Sequence, residues 1–533
     1  MQILSVYYHL SFHGLFKSSL IQSTLQIRRK VIIQNKENLK FWGHNCFSVE
    51  TEKSVLIIDP WFSQKGAFFG SWFQYPKNHH LRNNLLDIIE KKESSFIFVT
   101  HEHEDHFDID FLRKLPLKTS FIIPSYEDKN FKNELKEEKR ELIELEDLYE
   151  FELDNEMSIK LLISDIGINH DSAILIKTND FCFLNQNDCK VFDRLNEIHE
   201  QVDYYSVQFS GATWHPSCFE FSEKRKAYIS AKKVKNKFKN VLSGINILNP
   251  KYFLPAAGPA IFPFLEPSLS YGEGNIFVHQ PELQNFLSQH DFNNTLFLKP
   301  GDHLNGKLTT PIPIPNKEDF EDYKDNIDDV WNTLPNNFDP KLLLNAIEER
   351  LNNIKSIEIV NCPVLVFNFG EEFDDSDHTS KNKIFIDLNN KIIFDEFDYK
   401  KGYEEIVSSK RYFNLMSTEG WQNVYLSLRA KVVRRPDKFN NDLNIFLFSD
   451  ANNIYENFQR TRNIPKERIE IRNGNKIFEI DRFCPHQGAD LCDAKVSLNN
   501  VLICPRHGWE FDLDHNGLNA SSGETINSKQ LNE

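Results

Sequence analysis

Phe96-Ile-Phe-Val-Thr100-His101-Glu-His103-Glu-Asp105-His106 is an apolar run that passes without a break into metal-ligating side chains. The run is aromatic and β-branched and too short for a helix, so Phe96–Thr100 is expected as a buried strand. On the extended backbone that follows, residues i and i+2 point the same way, which gives the alternating ligands a common side. Four ligand-type side chains within six residues, set just after a buried strand, point to a metal site. Imidazole and carboxylate donors suit zinc or iron.

Similar short apolar runs lie on either side, at Val55–Ile58, Ser120–Ile123, Ala173–Lys177 and Phe181–Leu184, and residues 36–310 are expected to form one domain. The H-x-H-x-D-H segment after its strand resembles the metallo-β-lactamase fold, an αββα sandwich whose strands end at a dinuclear metal site. The resemblance implies His101 and His103 on one metal and Asp105 and His106 on the other. It also implies an upstream carboxylate, matched by Asp59 in Leu56-Ile-Ile-Asp59-Pro, with a role in the fold or in catalysis. A bridging carboxylate is matched by Asp188 in Phe183-Leu-Asn-Gln-Asn-Asp188. An intermediate ligand is matched by His170 in Gly167-Ile-Asn-His170-Asp171, where Asp171 as ligand, with His170 behind the ligands, is the alternative. The last histidine of the pattern has no match in Tyr252-Phe-Leu-Pro-Ala-Ala-Gly258-Pro259. His303, in Lys299-Pro-Gly-Asp302-His303, is either its substitute or a surface residue.

Near the C-terminus stand Cys484-Pro-His486-Gln-Gly488 and Cys504-Pro-Arg-His507-Gly508, which read C-x-H, seventeen residues, C-x-x-H. A zinc finger usually groups like ligands, whereas each half here holds one thiolate and one imidazole. The pattern resembles the Rieske [2Fe–2S] centre, in which Cys484 and Cys504 would hold one iron and His486 and His507 the other. Gly488 and Gly508 suit the tight loops such a cluster needs. Ala489 and Arg506 stand where disulfide-bearing Rieske proteins have cysteine, so the likeness is to the ferredoxin and oxygenase type.

The remaining chemistry is quiet. With 533 residues the chain is too long for one core. A net charge of −16 argues against nucleic acid as a partner. No window is apolar enough for a membrane span, and residues 1–35 read as an N-terminal extension without the marks of a signal peptide. The six cysteines outside the motif (Cys46, Cys182, Cys189, Cys218, Cys362, Cys492) show no framework spacing, which fits the cytoplasm. Glu220–Leu242 is expected as a helix whose Lys224, Lys232, Lys235 and Lys239 form a solvated face or, alternatively, a phosphate-binding one. Pro311–Pro315 and the acidic stretch after it mark residues 311–340 as a linker. Residues 341–460, with strand-like Val364–Phe369 and Lys383–Asp387 and a charged loop at Glu371–Asp377, carry no catalytic signature. Residues 461–533 form a small all-β unit around the iron motif. The expected fold class is therefore α+β and multidomain.

Hydrolases of the metallo-β-lactamase fold need no electrons, whereas a Rieske cluster moves them singly, so the pair of sites implies redox chemistry. The segments Val207-Gln-Phe-Ser210-Gly211-Ala-Thr-Trp214-His-Pro216, Ala257-Gly258-Pro259, Asn185-Gln-Asn-Asp188 and Pro300-Gly-Asp302 resemble the CMP-N-acetylneuraminate hydroxylase family. That resemblance implies an iron-dependent monooxygenase in which the cluster relays electrons to one or two non-haem irons that activate O₂. It implies a small-molecule substrate, a nucleotide sugar among the candidates, and an external donor such as cytochrome b5, a ferredoxin or a flavoprotein reductase. Ser210 and Trp214 would line the cleft, with core packing the alternative for Trp214. The animal enzymes of that family place the Rieske domain first, whereas here it is last. The rival reading is a metal-dependent hydrolase, holding zinc or iron, with the Rieske domain as an electron-transfer or sensor unit.

Overall fold

Strands in the N-terminal half form where apolar residues fill five-residue runs, and pairing sorts them into two sheets. The computed structural model describes residues 38–531 apart from 167, 305–308, 327–329, 336 and 371–381; the expected extension 1–35 and the loop Glu371–Asp377 lie outside the described residues. One six-stranded sheet runs, in spatial order, Leu39–Gly43, Cys46–Glu50, Ser54–Ile58, Ser94–Phe98, Ser120–Pro124 and Leu142–Leu145. The other, also six-stranded, runs Tyr252–Ala256, Tyr204–Gln208, Cys182–Asn185, Asn169–Thr178, Met157–Ile166 and Glu150–Asp154. Phe47, Phe121, Ile159, Ile174 and Phe183 belong to the core shared by the two sheets, and the rings of Phe47 and Phe183 meet edge-on at 5.1 Å.

Ser54–Ile58 and Ser94–Phe98 pair in parallel, Ile57 opposite Ile97. Asp59 and the His101–His106 loop therefore leave the sheet at one edge, as the crevice at strand C-termini requires. The long helix Glu223–Leu248 covers the outer face of the second sheet, packing Phe238, Val241 and Ile245 against Tyr205 and Val207. It begins later than Glu220 because the Ser222 side chain caps Arg225 N–H, and it continues until Asn249 adopts φ 44°.

Residues 311–340 are not a bare linker: Lys317–Asn326 is helical, and its Phe320 and Tyr323 are buried with Phe73 and Ile261. The middle segment builds a five-stranded sheet in the order Ile392–Phe394, Lys383–Asp387, Val364–Gly370, Tyr403–Ser409 and Lys431–Arg435. The helices Pro340–Asn353, Lys410–Leu415, Trp421–Leu426, Asn441–Phe448 and Ile454–Arg462 share its core. The C-terminal unit has two three-stranded sheets around Phe478, Ile480, Leu491, Leu502 and Phe511. The architecture is mixed α and β, with two facing six-stranded sheets first and a small all-β unit last.

Candidate metal centres

His44, Asp105 and His106 form one group able to hold a metal ion, and His101, His103 and Asp188 form a second. In each group the ligand atoms lie within 4.8 Å of one another. Asp188 reaches toward both groups, with Oδ2 3.9 Å from His101 Nε2 and Oδ1 3.5 Å from His106 Nε2. The imidazoles are held from behind. Thr100 Oγ1 donates to Asp59 Oδ2 at 2.8 Å and so can accept from His101 Nδ1 at 2.9 Å, which leaves His101 Nε2 its lone pair. Asp171 Oδ1 lies 3.4 Å from the same Nδ1. Asp59 also takes His106 Nδ1–H at 2.7 Å, turning His106 Nε2 inward. That nitrogen and Asp188 Oδ1 are both buried without a hydrogen-bond partner. Two such atoms facing one another fit a cation between them. His103 Nε2 meets the side-chain amide of Gln422 at 3.0 Å, from the helix Trp421–Leu426 of the middle segment.

Electrostatics follow from this crowding. Burial opposes charge on Asp105, but His106 and the hydrogen-bonded His44 outweigh it and hold the carboxyl well below the usual range. Burial likewise opposes charge on Asp188, and His106 and His101 overcome it. Burial opposes charge on His106, but Asp188 and Asp105 outweigh it and raise the imidazole to about 9. His103 is pushed down to about 4 by burial and by His101. Burial pushes Glu104 up to about 7, against the hydrogen bond it accepts from Phe68 N–H.

Several sequence expectations change at this point. His170 is not brought to either group: its Nδ1 bonds Asp165 Oδ1 at 2.6 Å, its register partner on the neighbouring strand. Adjacent residues on a strand face opposite ways, so it is Asp171 that approaches His101. His303 sits exposed at the outer edge of the first sheet, bridged to Lys40, and joins neither group. His44 is the histidine that sequence reasoning missed. It lies in the first hairpin at φ 51°, with Nε2 3.1 Å from Asp105 Oδ2. Ala257, where the fold's last histidine was sought, donates its N–H to the His44 carbonyl at 2.9 Å. An imidazole from the opposite sheet thus arrives beside the vacant position. Trp214 packs on Phe448 at 4.6 Å and on Tyr425, so its role is packing between units.

In the C-terminal unit the two loops are copies of one turn. Gly488 N–H bonds Cys484 O and Gly508 N–H bonds Cys504 O, with φ of 77° and 68° at the two glycines. The thiols of Cys484 and Cys504 are buried and in hydrogen-bond contact, and the rings of His486 and His507 are 4.8 Å apart. Burial pushes His486 down to about 3, keeping the imidazole neutral as a metal donor. Its Nδ1 is buried without a partner. Two thiols and two imidazoles converging in this way fit the cluster. Trp509 stacks on His486 at 4.3 Å, and Phe439 of the middle segment meets both rings edge-on.

Arg506, between the ligands Cys504 and His507, leaves its own domain. Its Nε donates to Asp193 at 3.1 Å and its Nη1 to Ser164 Oγ at 2.6 Å, and both Arg506 and Asp193 side chains are only 7% exposed. Asp193 lies five residues beyond Asp188, so the Cys504–His507 loop rests on the segment that carries Asp188. A separate cleft of ≈ 750 Å³, lined in part by Pro436, Phe439, Asn440 and Ser522, contains none of the candidate ligands.

Comparison with known proteins agrees with the two units. Residues 446–526 match the Rieske [2Fe-2S] domain family, and residues 38–172 match a beta-lactamase superfamily domain. A Mycolicibacterium smegmatis protein, provisionally named a Rieske 2Fe-2S iron-sulfur protein, is 24% identical over 528 residues, covering 92% of this chain and 99% of its own. The carnitine monooxygenase oxygenase subunit of Escherichia coli is 35% identical over 68 residues, 12% of this chain and 18% of its own. Among solved structures, CmlA, a diiron beta-hydroxylase from Streptomyces venezuelae, aligns at 14% identity and TM-score 0.34, over 51% of this chain and 54% of that one. No helix among the described residues is long and apolar enough to cross a membrane.

Proposed function

We propose that this chain is a Rieske-linked oxygenase, in which His101, His103, Asp188, His44, Asp105 and His106 hold non-haem iron and the C-terminal loops hold the electron-relaying cluster. The observation that carries the reading is the seat of Arg506 on Asp193 and Ser164. It sets the cluster loop against the metal-binding edge of the same chain, and electron transfer requires closeness rather than chain order. Bound there, iron would supply O₂ activation, and the cluster would supply electrons one at a time.

The protein's own part is positioning. Asp188 offers one oxygen to each metal group; Asp59, Asp171 and Thr100 fix which imidazole nitrogens face inward. Gln422 fixes the third imidazole from across the domain boundary. Gln422 Nε2 stands 3.0 Å from His103 Nε2, and His103 Nδ1 stands 2.9 Å from His101 Nε2, so the ring is held at both nitrogens. The likeness over 68 residues to the carnitine monooxygenase oxygenase subunit of Escherichia coli supports an oxygenase role. The finer reading, hydroxylation of a nucleotide sugar such as CMP-N-acetylneuraminate with electrons from cytochrome b5, a ferredoxin or a flavoprotein, rests on the sequence resemblance. Metal analysis and ¹⁸O₂ labelling of candidate substrates test it. About four irons per chain and label in an organic product are expected; two irons with zinc, and ¹⁸O₂ left unconsumed, would make the chain a hydrolase with a Rieske appendage.

A further inference from the structure

The cleft of ≈ 750 Å³ lies across one end of the five-stranded middle sheet. Val364–Gly370, Ile392–Phe394 and Tyr403–Ser409 begin there, and Lys383–Asp387 and Lys431–Arg435 end there. Neighbouring strands lie about 4.8 Å apart, so the outer two of the five stand roughly 19 Å from each other. The cleft takes lining residues from beside both outer strands and, through Ser522, from the Rieske unit. Its volume falls in the range of small-molecule sites, about 300–1,000 Å³.

The lining is aromatic at both ends. Phe394 and Phe397, both half-buried, come from one outer strand and the turn after it. The buried ring of Phe385 lies 5.7 and 5.8 Å from theirs, and Phe397 also meets Tyr399 at 5.0 Å and Tyr403 at 6.0 Å. Rings held by other rings cannot turn to bury their own open sides. At the other end Phe439, also half-buried, lines the cleft and meets His486. Asn440, next to it, accepts Leu443 N–H at its amide oxygen at 2.8 Å, which leaves its NH₂ group to donate. Lys401 and Lys438 are matched by Glu396 and Asp398, all four exposed, and Asp387 is taken up by the Asn389 and Asn390 amides at 3.0 and 2.7 Å. Net charge therefore does not choose the guest; ring faces and the amide do.

We infer that this cleft binds a planar heteroaromatic ring, a nucleobase or an isoalloxazine, which packs on the phenylalanines and accepts a hydrogen bond from Asn440. An alkyl chain could fill the volume but would leave the Asn440 amide unpaired, whereas a ring nitrogen or carbonyl pairs it. Aromatic partners also gain from stacked or edge-on contact beyond the area they cover. A ring held against Phe439 is one side chain from the cluster loops, since the Phe439 and His486 ring centres are 5.4 Å apart. The inference goes beyond the oxygenase reading and does not depend on it, because binding needs neither O₂ nor turnover.

The full chain as isolated is titrated by equilibrium dialysis with riboflavin and, separately, with adenosine, both uncharged. Saturable binding at a single site per chain is expected. Riboflavin alone assigns a flavin, adenosine alone a nucleoside, and both together a site that reads only the ring. Ile392 lines the cleft from outside the core, with its side chain 48% exposed, so Ile392→Trp fills the space and should weaken binding roughly tenfold or more. Phe397→Ala removes one wall and should weaken it about tenfold; it decides the matter if Ile392→Trp does not fold. Leu498→Ala, at a side chain 98% exposed and outside the cleft, should leave binding unchanged. No saturable binding of either compound, or binding that the folded Ile392→Trp chain keeps in full, overturns the inference.

Discussion

Arg506→Leu tests how the cluster is seated. The substitution removes the cation that faces Asp193 at 3.1 Å and leaves that carboxylate 7% exposed. Breaking a buried pair from one side costs about 3–5 kcal/mol. Arg194 also lowers the Asp193 pKa, although it is engaged by Asp147 and Glu197, so the lower end applies. At about 3 kcal/mol, the balance between seated and unseated loops shifts roughly a hundredfold. The Rieske unit keeps its own core of Phe478, Ile480, Leu502 and Phe511, so the loss falls on docking and not on the cluster. The protein is reduced anaerobically, mixed with O₂, and cluster reoxidation is followed by stopped-flow absorbance. Slower reoxidation with an unaltered cluster EPR signal is expected, and Arg506→Lys should recover only part of it, lacking the forked geometry.

The defect should also depend on pH with a definite sign. Burial already raises Asp193 and Arg506 opposes this, so the variant carboxyl rises further. A group whose folded pKa is raised takes up protons on folding. Its favourable contribution is complete below the unfolded pKa and is lost as pH climbs through the folded one. The variant's deficit should therefore shrink in acid and be greatest at neutral pH. Wild-type reoxidation rates in a variant with an intact cluster would refute the seating argument.

Asp188→Asn should leave about two irons per chain, those of the cluster, by elemental analysis, because one carboxylate serves both metal groups. His44→Ala should weaken one metal selectively, giving two distinct affinities in a chelator titration where the wild type releases both together. Gln422→Leu should cost roughly 10–100-fold in metal affinity by the same titration, as loss of a partner behind a ligand does, while Gln422→Glu should recover most of it. Cys504→Ser should abolish the EPR signal of the reduced cluster and end turnover while the lactamase-like half keeps its metals.

What could be read beforehand was whatever local spacing encodes. The His101–His106 loop and the two cysteine–histidine loops each place their donors within a few residues, and Asp188 follows its strand directly. Elsewhere the deciding fact was one of parity or of long-range contact. His170 and Asp171 differ by one position on a strand, and only the pairing of His170 with Asp165 tells which of the two faces the site. His44 stands outside every ligand pattern in the sequence; its importance comes from Asp105 and Ala257, 61 and 213 residues away, contacts that no local pattern records. On the long helix, the lysines singled out for their number were the solvated ones. Lys233 and Lys237 on the same helix are half-buried, which the run of lysines by itself does not tell.

The middle segment, silent in sequence, makes geometric sense of the chain order. It touches the first metal region through Gln422 on His103 and reaches the cluster through Phe439, whose ring meets His486. Trp72 Nε1–H donates to the Leu426 carbonyl at 2.7 Å, tying the same helix to the lactamase-like half. Phe439 N–H is bonded to Ser521 O at 2.8 Å, tying its other end to the Rieske unit. A rigid unit held at both ends fixes the separation between two sites as a linker cannot, since a flexible chain would sample many separations. The position of the Rieske domain along the sequence is then immaterial. What matters is that Arg506 and Phe439 clamp its loops from two sides, so perturbing either should slow electron passage, and perturbing both should exceed the sum only if the clamp is cooperative.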